Sequence, residues 1–217
     1  MRRPLRFPVL IAGLFALALS GCGGADTFTP DTPAAGLPFP DTPGKLMANF
    51  RTAYETRDYA AFHDLLTPDY EAVLQPGTIA RFPDVGAMLE TTEEYRIHER
   101  MFSGNALTDP LGAPVPAVHS IAFTVFEPIG GWVPALEASL FPGAESRLYD
   151  VVIVLDRGQA ESQFEVHGQI QFFVTHRDST ADGVTRPFYR MRGQVDLTLD
   201  GKGVESSCWG SVKALFR

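Results

Sequence analysis

The sequence predicts an α+β domain: helices packed into the hollow face of a strongly curved, mostly antiparallel sheet. Two observations carry this. Between residues 43 and 102 apolar side chains recur every three or four positions, the period of helices with one buried face. From residue 119 onward the period is two, in long strands whose second face is polar, as in an antiparallel sheet covered on one side. Helices grouped first and strands later mean α+β rather than alternating α/β.

The chain opens with Arg2, Arg3 and Arg6, then the thirteen-residue apolar run Phe7 to Leu19, then small residues. This is the order of a secretory signal peptide. A spanning helix needs about 20 apolar residues, and Pro8 weakens this run further. Residues 23–42, "GGADTFTPDTPAAGLPFPDT", hold four prolines and three glycines without periodicity. They read as a tether, or as an N-terminal arm if Phe28, Leu37 and Phe39 dock. Extended at ~3.1 Å per residue, such a tether reaches roughly 60 Å. The expected division is a signal peptide (1–21), Cys22 with the tether (22–42) and one folded domain (43–217).

Thr42-Pro43 caps and opens a first helix, with Leu46, Met47, Phe50, Ala53 and Tyr54 on one stripe. Asp58 caps a short second helix that buries Tyr59, Phe62, Leu65 and Leu66. "DYEAVL" is a strand ended by Gln75-Pro76-Gly77. A third helix is expected from Val85 to Phe102, with Met88, Leu89, Tyr95, His98, Met101 and Phe102 inward. "HSIAFTVFE" is a strand, and residues 127–146 are an irregular excursion. "RLYDVVIVLDR" turns Tyr149, Val151, Ile153 and Leu155 to one face. "QFEVHGQIQFFVTH" turns Phe164, Val166, Ile170, Phe172 and Val174 inward. "PFYRMRGQVDLTL" sets Tyr189, Met191, Val195 and Leu197 against Arg190, Arg192, Gln194 and Asp196. "CWGSVKALF" is expected as a last strand.

Charge and motifs bound the function. The whole chain has net charge −8. Without residues 1–21 the 18 Lys and Arg fall to 15 against 26 Asp and Glu, a net −11 that repels nucleic acid and anionic lipid. There is no P-loop, no Rossmann glycine pattern, no GxSxG and no HExxH, so no cofactor is expected. His63, His119, His167 and His176 lack metal spacing, and His167 and His176 lie on opposite faces of one strand. Cys208 reads as a buried thiol, with an intermolecular disulfide or a nucleophile as the alternatives.

Leu19-Ser20-Gly21-Cys22 resembles the lipobox of bacterial lipoproteins. The resemblance implies lipidation of Cys22 and, with Gly23 following, an outer-membrane anchor with the domain facing the periplasm. Two or more acyl chains hold stably, at ~0.8 kcal/mol per buried methylene. Residues 46–76, "LMANFRTAYETRDYAAFHDLLTPDYEAVLQP", resemble the opening of the nuclear transport factor 2-like superfamily, the cystatin-like α+β cone. That resemblance implies a central apolar pocket, a small apolar ligand or a partner protein, and dimers formed through the wet sheet face.

Isomerases of that superfamily place a carboxylate at the end of the first strand and a tyrosine on the first helix. Here those positions are Gln75 and Phe50, which cannot exchange protons, so that chemistry is not carried over. The main expectation is therefore non-catalytic binding. The alternative is a pocket enzyme of isomerase, dehydratase or hydrolase type using Tyr54, Tyr95 or His98. Arg190, Arg192 and Asp196 read as cross-strand partners of Glu165, or as a catalytic Arg-Asp pair. Trp132, Leu136, Leu140 and Phe141 read as a lid, a partner patch or a satellite core.

Overall fold

The structure, a computed structural model, describes residues 36–109, 112–158, 163–181, 183–198 and 208–217. The signal peptide, Cys22 and the tether up to residue 35 lie outside the described residues. The elements run α1 (Pro43–Thr56), α2 (Tyr59–Leu65), β1 (Leu66–Val73), α3 (Pro76–Arg81), a short 3-10 turn (Pro83–Val85), β2 (Met88–Glu90), α4 (Thr91–Phe102), β3 (Leu107–Thr108), β4 (Pro114–Val115), β5 (Ser120–Pro134), β6 (Glu145–Asp156), β7 (Phe164–Ala181), β8 (Val184–Thr198) and α5 (Trp209–Leu215). Six strands form one sheet in the order β2-β1-β8-β7-β6-β5. Every neighbouring pair is antiparallel except β1 with β8.

Local chemistry sets the first helices. Thr42 Oγ1 accepts from Lys45 N at 3.2 Å, Pro43 occupies the first turn, and Arg57 ends α1 in the left-handed region at φ 54°. That conformation disfavours a side chain. Here the Arg57 guanidinium is held by donation to Val118 O at 2.7 Å. Asp58 Oδ1 accepts from Ala61 N at 2.9 Å and starts α2. Leu46, Met47, Phe50, Ala53 and Tyr54 all face the core, as do Phe62, Leu65 and Leu66. The folded body also takes in residues just before α1. Asn49 Nδ2 donates to Pro38 O at 2.7 Å, Tyr189 N donates to Pro40 O at 2.9 Å, and Phe39 meets Phe188 edge-on.

The sheet follows the period-two reading through β6 and β7, whereas β5 shifts register between Phe123 and Val125 and β8 departs from it. Tyr149, Val151, Ile153, Leu155, Val166, Ile170, Phe172 and Val174 are buried against the helices. In β8, Phe173 pairs with Gly193 and Val174 with Met191, so Arg192 is an inserted residue. A bulge of this kind exchanges the two faces of the strand beyond it. Gln194, Asp196 and Thr198 therefore turn inward, at most 2 % exposed, while Val195 and Leu197 turn outward. The expected grouping of Asp196 with Arg190 and Arg192 is thus wrong, and Glu165 pairs with His167 at 2.8 Å.

Three further expectations are corrected. "CWGSVKALF" is helix α5, not a strand. Its N-terminal N–H groups are satisfied from β8: Trp209 N donates to Thr198 Oγ1 at 2.8 Å and Gly210 N to Asp196 Oδ2 at 2.6 Å. The capping partners lie more than ten residues upstream, so no local motif announces the helix. The third long helix starts at Thr91 rather than Val85, because Met88–Glu90 pairs with β1 as β2. The excursion is shorter than 127–146: β5 continues to Pro134, which pairs with Glu145. Beyond it Phe141 packs on Phe173 with Ala144 as a satellite core, on the face of β7 opposite Phe172. Leu136 and Leu140 stay exposed.

Candidate functional site

Tyr54 on α1 and His98 on α4, named separately from the sequence, meet inside the core. The pairing of α1, α2 and α4 brings them together, and Glu94 and Lys213 complete the group. His98 Nδ1 donates to Glu94 O at 2.7 Å and lies 3.2 Å from Glu94 Oε2. That leaves Nε2 as the acceptor of the Tyr54 hydroxyl proton. Lys213 Nζ donates to Glu94 Oε1 at 2.6 Å. Tyr54, Glu94, His98 and Lys213 all have 0 % exposure.

Aromatic rings enclose the group. The His98 imidazole stacks on Phe62 at 3.9 Å, and the Tyr54 ring meets Phe50, Phe62, Phe102, Phe123 and Trp209 at 4.5 to 5.8 Å. Burial, helped by the charge of Lys213, holds the His98 pKa well below its ordinary value, so the imidazole is neutral. Burial raises the Glu94 carboxyl while Lys213 pulls it back down. Burial and then Glu94 push the Tyr54 hydroxyl well above its usual range. At neutral pH the group is tyrosine, imidazole, carboxylate and ammonium, with no net charge. The hydrogen bonds run from the Tyr54 hydroxyl through His98 to the Glu94 backbone carbonyl, while Glu94 Oε2 makes no hydrogen bond among the described residues, and a substrate reaches the group only if the aromatic shell opens.

Tyr95 is not part of this group. It faces the edge of α4, donates to His63 O at 3.2 Å and stacks on the His63 ring at 4.1 Å. Cys208 is fully buried, 3.0 Å from Thr78 Oγ1 and 3.1 Å from Ser211 Oγ, and burial raises its thiol. That is a structural thiol, not an activated one. Gln75 Nε2 donates to Thr198 O and serves the C-terminal cap. Among the described residues no three His, Cys, Asp or Glu side chains gather as a metal would require.

A cleft of about 350 Å3 opens elsewhere, between the start of β1, the later part of β7, the first half of β8 and the β5–β6 connection. Thr67, Asp69, Arg177, Phe188, Arg190 and Arg192 line it, together with His176 and Pro142. Phe188, Arg190 and Arg192 lie on the side of β8 opposite Tyr189 and Met191. Arg177 pairs with Phe188 and Thr175 with Arg190, so these side chains share that side. Arg192 contacts Asp69 Oδ2 at 3.1 Å and also donates to Asp69 O. Glu94, Lys213 and the cleft escaped the sequence reading. The first two had a signal, a Glu and His four apart on one helix and a lysine within an apolar segment. The cleft had none, because a bulge and a distant loop build it.

Fold and site define an α+β curved-sheet domain with a sealed polar chain inside and a basic cleft beside its sheet. No family model and no curated protein matches the chain. Among solved structures, an NTF2-like protein of unknown function in nutrient uptake from Rhodospirillum rubrum is 11% identical, with a TM-score of 0.36, over 70% of this chain and 93% of that one. AusH from Aspergillus nidulans is 10% identical, with a TM-score of 0.41, over 76% and 92%. Similarity this distant carries no argument about activity.

Proposed function

We propose that the chain is a bacterial envelope lipoprotein of nuclear transport factor 2-like fold, anchored through Cys22, whose domain binds a small ligand and performs no chemistry. The observation that carries the binding reading is the cleft of about 350 Å3, a volume suited to a small molecule. The complete burial of Tyr54, Glu94 and His98 supports a structural role for these groups. The lipobox at Leu19 to Cys22 supports the anchor.

Native mass spectrometry of the mature Cys22→Ala chain, purified gently, tests binding: a retained small molecule is the expected result, and a bare chain that takes up nothing from an envelope extract refutes it. Fractionation tests the anchor: wild type should partition with membranes and Cys22→Ala should not. The Tyr54–His98 hydrogen bond favours a second reading, an enzyme whose shell opens. A His98 imidazole that titrates between pH 5 and 8 by NMR would support that reading, since solvent would then reach it.

A further inference from the structure

The geometry points to the cleft as an anion site, shaped for a phosphate or carboxylate carried on a body with an apolar face. This rests on the reading that the cleft binds a ligand, and it names the chemical class. On a chain of net charge −8, three guanidinium groups, Arg177, Arg190 and Arg192, line one small cavity. Among the described residues the one carboxylate lining it is Asp69, which is held by Arg192 and is itself 67% exposed. Thr67, 8% exposed, lines the same cavity, and its Oγ1 has no hydrogen-bond partner among the described residues. A buried hydroxyl without a partner is costly, and a ligand oxygen in the cleft would accept from it. Phe188 supplies an apolar wall.

Guanidinium groups match the paired oxygens of phosphates and carboxylates, which sets this chemistry apart from that of a neutral ligand. The cavity is too small for a polyanion, and the acidic remainder of the surface repels one. The anion has two sources, a soluble phosphate or acid and the headgroup of an anionic lipid. The proposed anchor at Cys22 would hold the domain within tether reach of the second.

The test uses the mature Cys22→Ala chain and amide NMR titrations with phenyl phosphate, benzoate and phenol. The two anions should shift Thr175–Arg177 and Phe188–Arg192 and bind at least tenfold tighter than phenol. Arg177→Gln and Arg190→Gln should each weaken anion binding by about tenfold or more, with an unchanged unfolding midpoint. A flotation arm compares phosphatidylglycerol with phosphatidylcholine vesicles. Binding to the first alone, lost in the arginine variants while the soluble anions fail to bind, assigns the same chemistry to a lipid headgroup. Anion binding that ignores both arginine variants, or that shifts residues elsewhere, overturns the proposal. If phenol or another neutral ligand shifts the cleft residues as strongly as the anions, the anion assignment fails and the cleft remains a binding site. If nothing shifts those residues and no vesicle binds, both readings fall.

Discussion

Lys213→Met isolates the energetics of the buried polar chain. The substitution keeps most of the side-chain volume and removes the ammonium 2.6 Å from Glu94 Oε1. Glu94 then loses its ammonium partner at 0 % exposure. Removing one partner of a buried ion pair costs about 3–5 kcal/mol. The loss must depend on pH, and its sign follows from the proton count. Without Lys213, burial raises the Glu94 carboxyl unopposed and the imidazole loses the charge that helped to hold its pKa down, so the native variant binds protons more readily than the native wild type. The unfolded states of the two proteins match at these residues. The variant's deficit therefore grows as pH rises, by at most about 1.4 kcal/mol per unit for one proton. A deficit of about 4 kcal/mol at pH 7 is smaller at pH 5. Urea unfolding of both proteins at pH 5, 6, 7 and 8 measures it. A deficit below about 1 kcal/mol at pH 7, or one flat across that range, would refute the account. Adding Glu94→Gln to the variant should recover much of the stability at pH 7 and flatten the dependence.

Other consequences are as specific. A Cβ at Gly193 would collide with the Phe141 ring and come within 2.9 Å of Glu71 O, so Gly193→Ala should cost roughly 1–3 kcal/mol in a denaturation midpoint series. Tyr54→Phe leaves His98 Nε2 without its donor and should lower stability by about 1–2 kcal/mol, measured by urea unfolding. Asp196→Ala strips acceptors from Gly210 N and Thr198 N and should cost about 3 kcal/mol, with α5 the first segment to lose amide-exchange protection. Cys208 should resist maleimide in the native protein and react promptly in urea, and rapid native labelling would contradict its burial.

Much of the fold was legible because local chemistry decides it. Thr42-Pro43 and Asp58 cap helices that repeat apolar residues at helical spacing, and β6 and the middle of β7 alternate cleanly. Two failures have one physical origin. The faces of β8 invert at a bulge that period counting cannot register, and this turns Gln194, Asp196 and Thr198 inward. Asp196 and Thr198 then cap α5, a helix buried so completely, Ser211 and Lys213 included, that no polar stripe marks it. The site was half legible. Tyr54 and His98 stood out as types, but their contact needs α1 packed beside α4, and Lys213 needs α5.

The parallel junction of β1 with β8 joins Leu66 to Met191, across more than half of the chain. An emerging polypeptide can wind α1 and α2 early, yet β1 keeps an open edge there until β8 is made. Pairings so remote in sequence slow folding and leave strand edges exposed in the meantime. Residues 208–217 then set Trp209 against Tyr54 and Lys213 against Glu94, so the early helices are not fully packed until this segment is made. A premature stop that removes α5 should yield aggregates or protease fragments rather than a slightly shorter domain.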